Sequence, residues 1–306
     1  MLVTLADDDP TPDDAAIGAL QSDPCLVVVR ADRAGGDIPD RWRALADAIV
    51  EDDETQSLIG ATADHHPRAT VALALLMRGA ERRSLADGLV AESVTYSVLQ
   101  SGPEFEAWRA HRLVKHRVPP DGPVVLVDRD GDVLTITLNR PDVRNALDTR
   151  LRDELLEALA IAQLDQSIAR VVMRGAGRSY SAGGDLDEFG SFPDPATAHL
   201  IRLQRSVGRV VASMADRVEV HVHGGCYGSG VEIPAFAGTV VATPDARFAL
   251  PELALGLIPG AGGTVSITNR IGRHRTTALM LTGHAIDATT ALAWGLVDAI
   301  EQSPGP

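Results

Sequence analysis

Glu232 and Glu252 lie twenty positions apart in this 306-residue chain, each among apolar neighbours. Val231 and Ile233 flank the first; Leu250 and Leu253 bracket the second. Two carboxyl groups facing one pocket can hold a water between them. One then takes its proton while the other supplies one. A glutamate alone reads as a surface or capping residue, and the apolar neighbours are what favour burial here. Two small-residue turns accompany the pair, Ser181-Ala-Gly-Gly-Asp185 and Gly228-Ser-Gly-Val-Glu232. Each follows a strand and precedes a helix start, and Asp185 stands where it would cap a short helix. Such turns can aim free backbone N–H groups outward. Two N–H groups from two turns can grip one carbonyl oxygen, and losing one such donor typically raises a barrier by ~3–4 kcal/mol. Either turn alone is also an ordinary strand-to-helix connection.

Other motifs carry less. Leu257-Ile-Pro-Gly-Ala-Gly-Gly-Thr264 lacks the Gly-Lys-Ser/Thr ending of a triphosphate loop. Gly175-Ala-Gly177 is not completed into a dinucleotide fingerprint. His221 and His223 share one face of a strand and read as structural, so no metal site is expected.

Elements must position the glutamates and the turns. Val124–Asp128 and Val133–Leu138 form a hairpin about Asp130-Gly131. An amphipathic helix over 148–163, a strand at 171–174, helix over 196–214, a strand over 218–223, a helix from about 229 and a strand at 240–242 follow. Strands alternating with helices indicate an α/β architecture with substantially parallel sheet. Upstream, 25–30 reads as one buried strand, and helical periodicity runs from Pro39 through Trp42, Leu45, Ala46 and Ile49. Further helices are predicted over 68–79, 83–100 and 103–115. Residues 118–123 hold three prolines and a glycine and suit a linker. The division is a mainly helical N-terminal domain over 1–117, the linker, and an α/β domain over 124–306.

A net charge of −14 argues against nucleic-acid and anionic-membrane partners, which need clustered Lys and Arg. No apolar run reaches ~18 residues and no signal peptide is visible, so a cytoplasmic location is expected. Two distant cysteines, Cys25 and Cys226, indicate no disulfide framework. The acidic cluster Asp7, Asp8, Asp9, Asp13 and Asp14 reads as a solvated tail.

Over about 124–300 the chain resembles the crotonase (enoyl-CoA hydratase/isomerase) superfamily. The segments that carry the resemblance are Leu138-Asn-Arg-Pro141 with Asn145-Ala-Leu147, Ser181-Ala-Gly-Gly-Asp-Leu186, Gly224 to Glu232, Phe248-Ala-Leu-Pro-Glu252 into Gly256 to Thr264, and Ala293-Trp-Gly-Leu-Val297. The resemblance implies a ClpP-like ββα superhelix. It implies an oxyanion hole from the backbone N–H groups of Gly184 and Ser229, with Glu232 and Glu252 catalytic. It points to hydration of a 2-enoyl-CoA, because members specialised for isomerisation usually keep only the later glutamate. Isomerisation, cofactor-independent oxygenation of an aryl-acetyl-CoA and a non-catalytic acyl-CoA-binding role stand as alternatives. Ala182, Asp185 and Leu186 are expected to line the substrate. No cofactor is implied, since coenzyme A belongs to the substrate, and the partner expected is a second and third copy in a homotrimer or hexamer.

Three departures accompany it. Where many relatives place a lysine near coenzyme A phosphates, Asp185-Leu-Asp-Glu188 is acidic, leaving Arg140 and Arg144 as candidate contacts. Typical members continue past the Gly-Leu-Val turn into a helical cover, whereas this sequence stops at Pro306. The N-terminal zone, with its Tyr96-to-Phe105 stretch, is similar to the extension of the dihydroxyphenylacetyl-CoA dioxygenase branch. The N-terminal helices are expected to replace the cover.

Overall fold

The computed structural model describes residues 2–6, 12–31, 38–115 and 121–301. The N-terminal zone opens with β1 (Leu2–Ala6), α1 (Asp14–Ser22), β2 (Leu26–Arg30), α2 (Asp40–Leu45) and β3 (Ala48–Val50). The three strands form a parallel sheet in the order β1-β2-β3. Then come α3 (Asp53–His65), α4 (Pro67–Met77), α5 (Leu85–Gln100) and α6 (Pro103–Ala110). The three helices expected over 68–115 are there; the last ends earlier.

Two upstream readings are corrected. The helix begun at Pro39 stops at Leu45, and Ala48–Val50 is a strand. Asp47, fully buried, causes the break. Its backbone N–H donates to the Val27 carbonyl at 2.8 Å, its Oδ2 accepts from the Val27 N–H at 2.9 Å, and its Oδ1 pairs with Arg78 at 2.9 Å. The acidic cluster is not all tail: Asp13 caps α1 by accepting from the Ala16 N–H, and Asp14 opens it. Asp7 to Asp9 lie outside the described residues. So do 118–120 of the expected linker, and 121–123 carry no regular structure. The helix α3 went unread; Asp52 caps it through the Thr55 N–H at 2.7 Å.

The second zone holds β4 (Val125–Asp130), β5 (Val133–Leu138), α7 (Thr149–Leu164), β6 (Arg170–Gly175), α8 (Pro195–Gln204), α9 (Val207–Ala212), β7 (Val218–Val222), β8 (Gly225–Tyr227) and α10 (Ser229–Glu232). β9 (Thr239–Ala242), β10 (Arg247–Ala249), α11 (Gly263–Ile271), α12 (Arg273–Thr282), β11 (Ile286–Asp287), α13 (Ala288–Trp294) and β12 (Ala299–Ile300) complete it. The expected hairpin is β4–β5, antiparallel, with Gly131 at φ 59° in its turn. The larger sheet runs β12-β9-β7-β6-β5-β4 and is parallel apart from that hairpin. A smaller sheet, β11-β10-β8, stands beside it. The helix expected over 196–214 is two, α8 and α9.

The two zones share one buried apolar cluster. Leu26, Val28, Ile59, Leu73 and Met77 join it from upstream; Leu134, Ile136, Met173, Val220 and Leu250 from downstream. Val27 and Val29 of β2, with Cys25 just before it, pack on Trp42 and Leu45 in a second cluster. Burial on both faces is why this strand reads as an unbroken apolar run. α12 packs on α3, α4 and β3, while α5 packs on α8 and α11. Arg273, at the start of α12, donates to the carbonyls of Arg43, Ala44 and Ala46 and so closes the C-terminal end of α2. The upstream helices thus cover the elements that carry the site described below.

Leu73→Ala should cost ~2–5 kcal/mol as the transfer loss plus the cavity left behind. Because the cluster is continuous, urea unfolding followed by far-ultraviolet circular dichroism and by tryptophan fluorescence should remain one coincident transition, shifted lower. Two separated transitions would show that the zones fold independently.

Candidate active site

The backbone of the first turn is almost entirely committed. Tyr180 N–H donates to His223, Ser181 to Gly225, Ala182 to Arg144, Gly183 to the Ser181 hydroxyl and Asp185 to Leu147. The N–H of Gly184 makes no hydrogen bond among the described residues. Gly183, at φ 89°, turns the chain; a Cβ there would stand 2.7 Å from the Tyr227 carbonyl oxygen. Asp185 opens no helix: the chain continues as a turn over 186–190, and its Oδ1 accepts from the Asp187 N–H at 3.2 Å.

The second turn repeats the device. Tyr227 and Gly228 donate to Ser181 and Ala249, and Val231 and Glu232 to Gly228. Ser229 is the first residue of α10, so its N–H has no carbonyl behind it. Gly228 adopts φ 50°, ψ −121°, and a Cβ on it would fall 2.5 Å from Glu252 Oε1. Only glycine permits both that turn and that approach.

Gly184, Ser229, Glu232, Glu252 and Asp185 line a single cavity of about 180 Å³. The structure therefore gathers both turns and both glutamates at one place. Ala182, Leu186, Arg140 and Arg144 do not line it. Arg140 is turned into the fold, ion-paired with Asp148 at 2.9 Å and Asp185 at 3.4 Å and donating to the Ala146 carbonyl. Arg144 is exposed, in the left-handed region at φ 53°. The acidic stretch after the turn finds its cation elsewhere: Asp187 pairs with Arg112, from beyond α6, at 2.9 Å.

Both glutamates are buried. Glu232 Oε2 accepts from the N–H groups of Ala261 and Gly263, at 2.7 and 2.9 Å. Burial, with the charges of Glu252 and Glu92, pushes its carboxyl well above the ordinary range, against those two donors. Glu252 Oε2 has no hydrogen-bond partner among the described residues, and burial pushes this carboxyl up to about 8. Two buried neighbours repelling each other do not both ionise at neutral pH. The donors on Glu232 favour its charged form and the bare oxygen of Glu252 favours the protonated one.

The sequence reading missed a third carboxyl. Glu92, on α5, accepts from Gly262 N–H at 2.7 Å, Thr264 N–H at 2.9 Å and the Thr264 hydroxyl at 2.7 Å, and burial pushes it up to about 7. Its signal was present: Leu89, Glu92 and Tyr96 follow helical spacing on a buried face. Tyr96, Gln100 and Arg202 also line the cavity unforeseen. Asn145, buried at φ 52°, donates from Nδ2 toward the carbonyls of Ala176, Ser179 and Tyr180 and so braces the first turn. His221 meets Glu219, and His223 donates from Nε2 to the Gly177 carbonyl at 2.8 Å.

The family model for enoyl-CoA hydratase/isomerase matches residues 128–303. The chain belongs to the enoyl-CoA hydratase/isomerase family. It is 36% identical over 176 residues to the 2,3-dehydroadipyl-CoA hydratase of Escherichia coli K12, a match spanning 58% of this chain and 68% of that protein. It is 32% identical over 177 residues to the trans-2-decenoyl-[acyl-carrier-protein] isomerase of Streptococcus mutans, spanning 56% and 67%. Its fold is similar to the crystal structure of an enoyl-CoA hydratase from Thermoplasma volcanium, with a TM-score of 0.56 at 30% identity over 60% of this chain and 73% of that one. The crotonase fold expected from the resemblance is thus present. No helix among the described residues is long and apolar enough to cross a membrane, and none of their His, Cys, Asp and Glu side chains cluster as metal ligands.

The position of Glu252 makes a stability prediction. The folded chain holds a proton that the unfolded chain, at the ordinary 4.5, releases. That contribution is complete below the unfolded value and is lost as pH rises toward about 8. Glu252→Gln removes the titration. Its stability relative to the parent should therefore rise by up to ~1.4 kcal/mol per pH unit between about pH 5 and pH 8, measured by urea unfolding. A difference independent of pH would mean that Glu252 ionises normally.

Proposed function

We propose that this family member is a hydratase that adds water across the double bond of a 2-enoyl-CoA. The observation that carries the reading is the meeting of two buried carboxyl groups with two uncommitted backbone N–H groups in one cavity. The thioester carbonyl oxygen accepts from the N–H groups of Gly184 and Ser229. Water attacks C3 as the ionised Glu232 takes its proton, and the double-bond electrons move onto the thioester as an enolate. The two N–H dipoles are strongest in effect at that moment, when the oxygen carries charge. Protonated Glu252 then delivers its proton to C2 as the enolate collapses. Hydroxyl has gone to C3 and hydrogen to C2, and one proton has moved from Glu252 to Glu232. Return of that proton between the paired carboxyls resets the site. The addition is redox-neutral, so this reading calls on no redox cofactor, and coenzyme A enters with the substrate.

Relatives named as hydratase and as isomerase match this chain almost equally, so similarity does not choose between them. The glutamate pair favours hydration, because moving a double bond needs one carboxyl that shuttles a proton whereas activating water and protonating carbon employ two. A homotrimer or hexamer accompanies the proposal.

Crotonyl-CoA should lose its enoyl-thioester absorbance with this protein. Glu232→Gln and Glu252→Gln should each lower kcat by ~10²–10⁴, with acyl-CoA binding retained in calorimetry. Isomerisation of a 3-enoyl-CoA that survives Glu232→Gln, without any hydration by the parent, would instead establish an isomerase.

A further inference from the structure

The cavity wall also carries an arginine that makes no ion pair among the described residues. Arg202, on α8, lines the same cavity as the glutamates and the two N–H groups. Its Nε donates to the Ser93 hydroxyl at 3.1 Å, and its Nη2 donates to the Ser97 hydroxyl and toward the Ser93 carbonyl. All of these partners are neutral. Nη1 donates to nothing among the described residues, and no carboxylate there lies within ion-pair distance. Glu92 is the acid whose charge reaches Arg202, but its oxygens are held by Gly262 and Thr264. The other arginine of the cavity, Arg152, differs: it pairs with Asp153 at 2.9 Å.

Arg202 is half-buried, and a guanidinium drawn out of water without a counter-ion is costly, so such a group is normally paired. Arg202 is also held rigidly. Its guanidinium stacks over the Tyr96 ring at 4.3 Å, and the two serines of α5 fix its edge. Rigidity with a free Nη1 suits an anion that accepts a charge-assisted hydrogen bond from it. Gln100, one turn beyond Tyr96 on the same helix, lines the cavity too, and its buried Oε1 has no partner among the described residues. An amide turned to present its nitrogen would supply a further donor to the same anion.

The position says which part of the substrate would meet this pair. Tyr96, under Arg202, packs against Gly260; a Cβ there would be 2.7 Å from the ring. The next residue, Ala261, holds Glu232. Arg202 therefore belongs to the glutamate side. Thr149 and Gly190, also lining the cavity, are exposed.

We propose that Arg202, with Gln100, is the specificity determinant for an acyl group that ends in a carboxylate, so that the substrate class is an ω-carboxy-2-enoyl-CoA. This rests on the hydratase reading for its reaction but not for its binding. The carboxylate supplies the counter-ion that the fold omits, and the methyl-ended acyl group of equal length leaves the guanidinium unpaired.

The test compares ω-carboxy-2-enoyl-CoA thioesters of five to eight acyl carbons with methyl-ended 2-enoyl-CoA thioesters of the same lengths, for the parent, Arg202→Met and Arg202→Lys. At one length at least, the parent should prefer the carboxylated thioester by 30-fold or more in kcat/KM. Arg202→Met should collapse that ratio to within about threefold of one, and Arg202→Lys, which keeps charge but not the serine-held guanidinium, should fall between. Saturated ω-carboxy acyl-CoA, methyl-ended acyl-CoA and free coenzyme A, titrated calorimetrically, give the same comparison without turnover. A parent that binds the carboxylated ligand preferentially but hydrates nothing would sink the hydratase reading and leave the subsite standing. Equal losses for both ligand classes in Arg202→Met would make Arg202 a structural link between α5 and α8 and overturn the proposal. An equal loss for free coenzyme A would assign Arg202 to the coenzyme and overturn it as well.

Discussion

One five-residue loop, gripped from both sides by carboxylates, is the constraint on which the site depends. Along 260–264 the backbone N–H groups point alternately to opposite flanks. Those of Ala261 and Gly263 meet Glu232, and those of Gly262 and Thr264 meet Glu92. Glu232 comes from α10 and Glu92 from α5, more than a hundred residues apart in sequence. Neither carboxylate could stay buried without these donors, since an uncompensated buried charge costs several kcal/mol. The loop in turn owes its shape to both. Gly262, at φ 106°, keeps Phe236 clear, and Gly263 admits Glu232, whose Cγ would lie 2.7 Å from a Cβ at that position.

The clamp explains why the upstream helices matter to the chemistry. α5 supplies Glu92 to the loop, Tyr96 and Gln100 to the cavity wall, and the serines that hold Arg202. α6 crosses the turn that carries Glu252, where Gly256 at φ 70° leaves room for Glu104. The N-terminal zone is thus part of the site wall and not an appendage. Sharing one apolar cluster makes the placement rigid, because close-packed interiors move in discrete steps rather than by continuous deformation.

Electrostatics divides the labour between two similar side chains. Glu232 and Glu252 are both buried, yet among the described residues one oxygen of Glu232 has two donors and one oxygen of Glu252 has none. That asymmetry lets one hold a charge while the other holds a proton. The two uncommitted N–H groups arise from a different economy: every neighbouring amide of the first turn is used, so the remaining one is held in place by bonds it does not make. Preorganised donors of this kind need no reorientation as charge develops.

Much of this was legible in the residues themselves. Glycines at 183, 184 and 228, glutamates beside apolar runs, and the turn at Asp130-Gly131 state their roles locally, because backbone conformation and burial leave marks on residue type at short range. The β–β–α order and most helices of the upstream zone were readable for the same reason. The spacing of Glu92 marked its buried face but not its partners, and nothing marked Arg202, since what matters in each is a partner, or the want of one, far away along the chain. Asp47 likewise ended a helix by bonding to a strand that periodicity alone could not place beside it. Sequence by itself determined which residues were able to turn, to be buried and to carry a proton. Only the tertiary structure decided which of them meet, because a carboxylate's charge, an amide's freedom and an arginine's lack of a counter-ion are properties of surroundings and not of the residue.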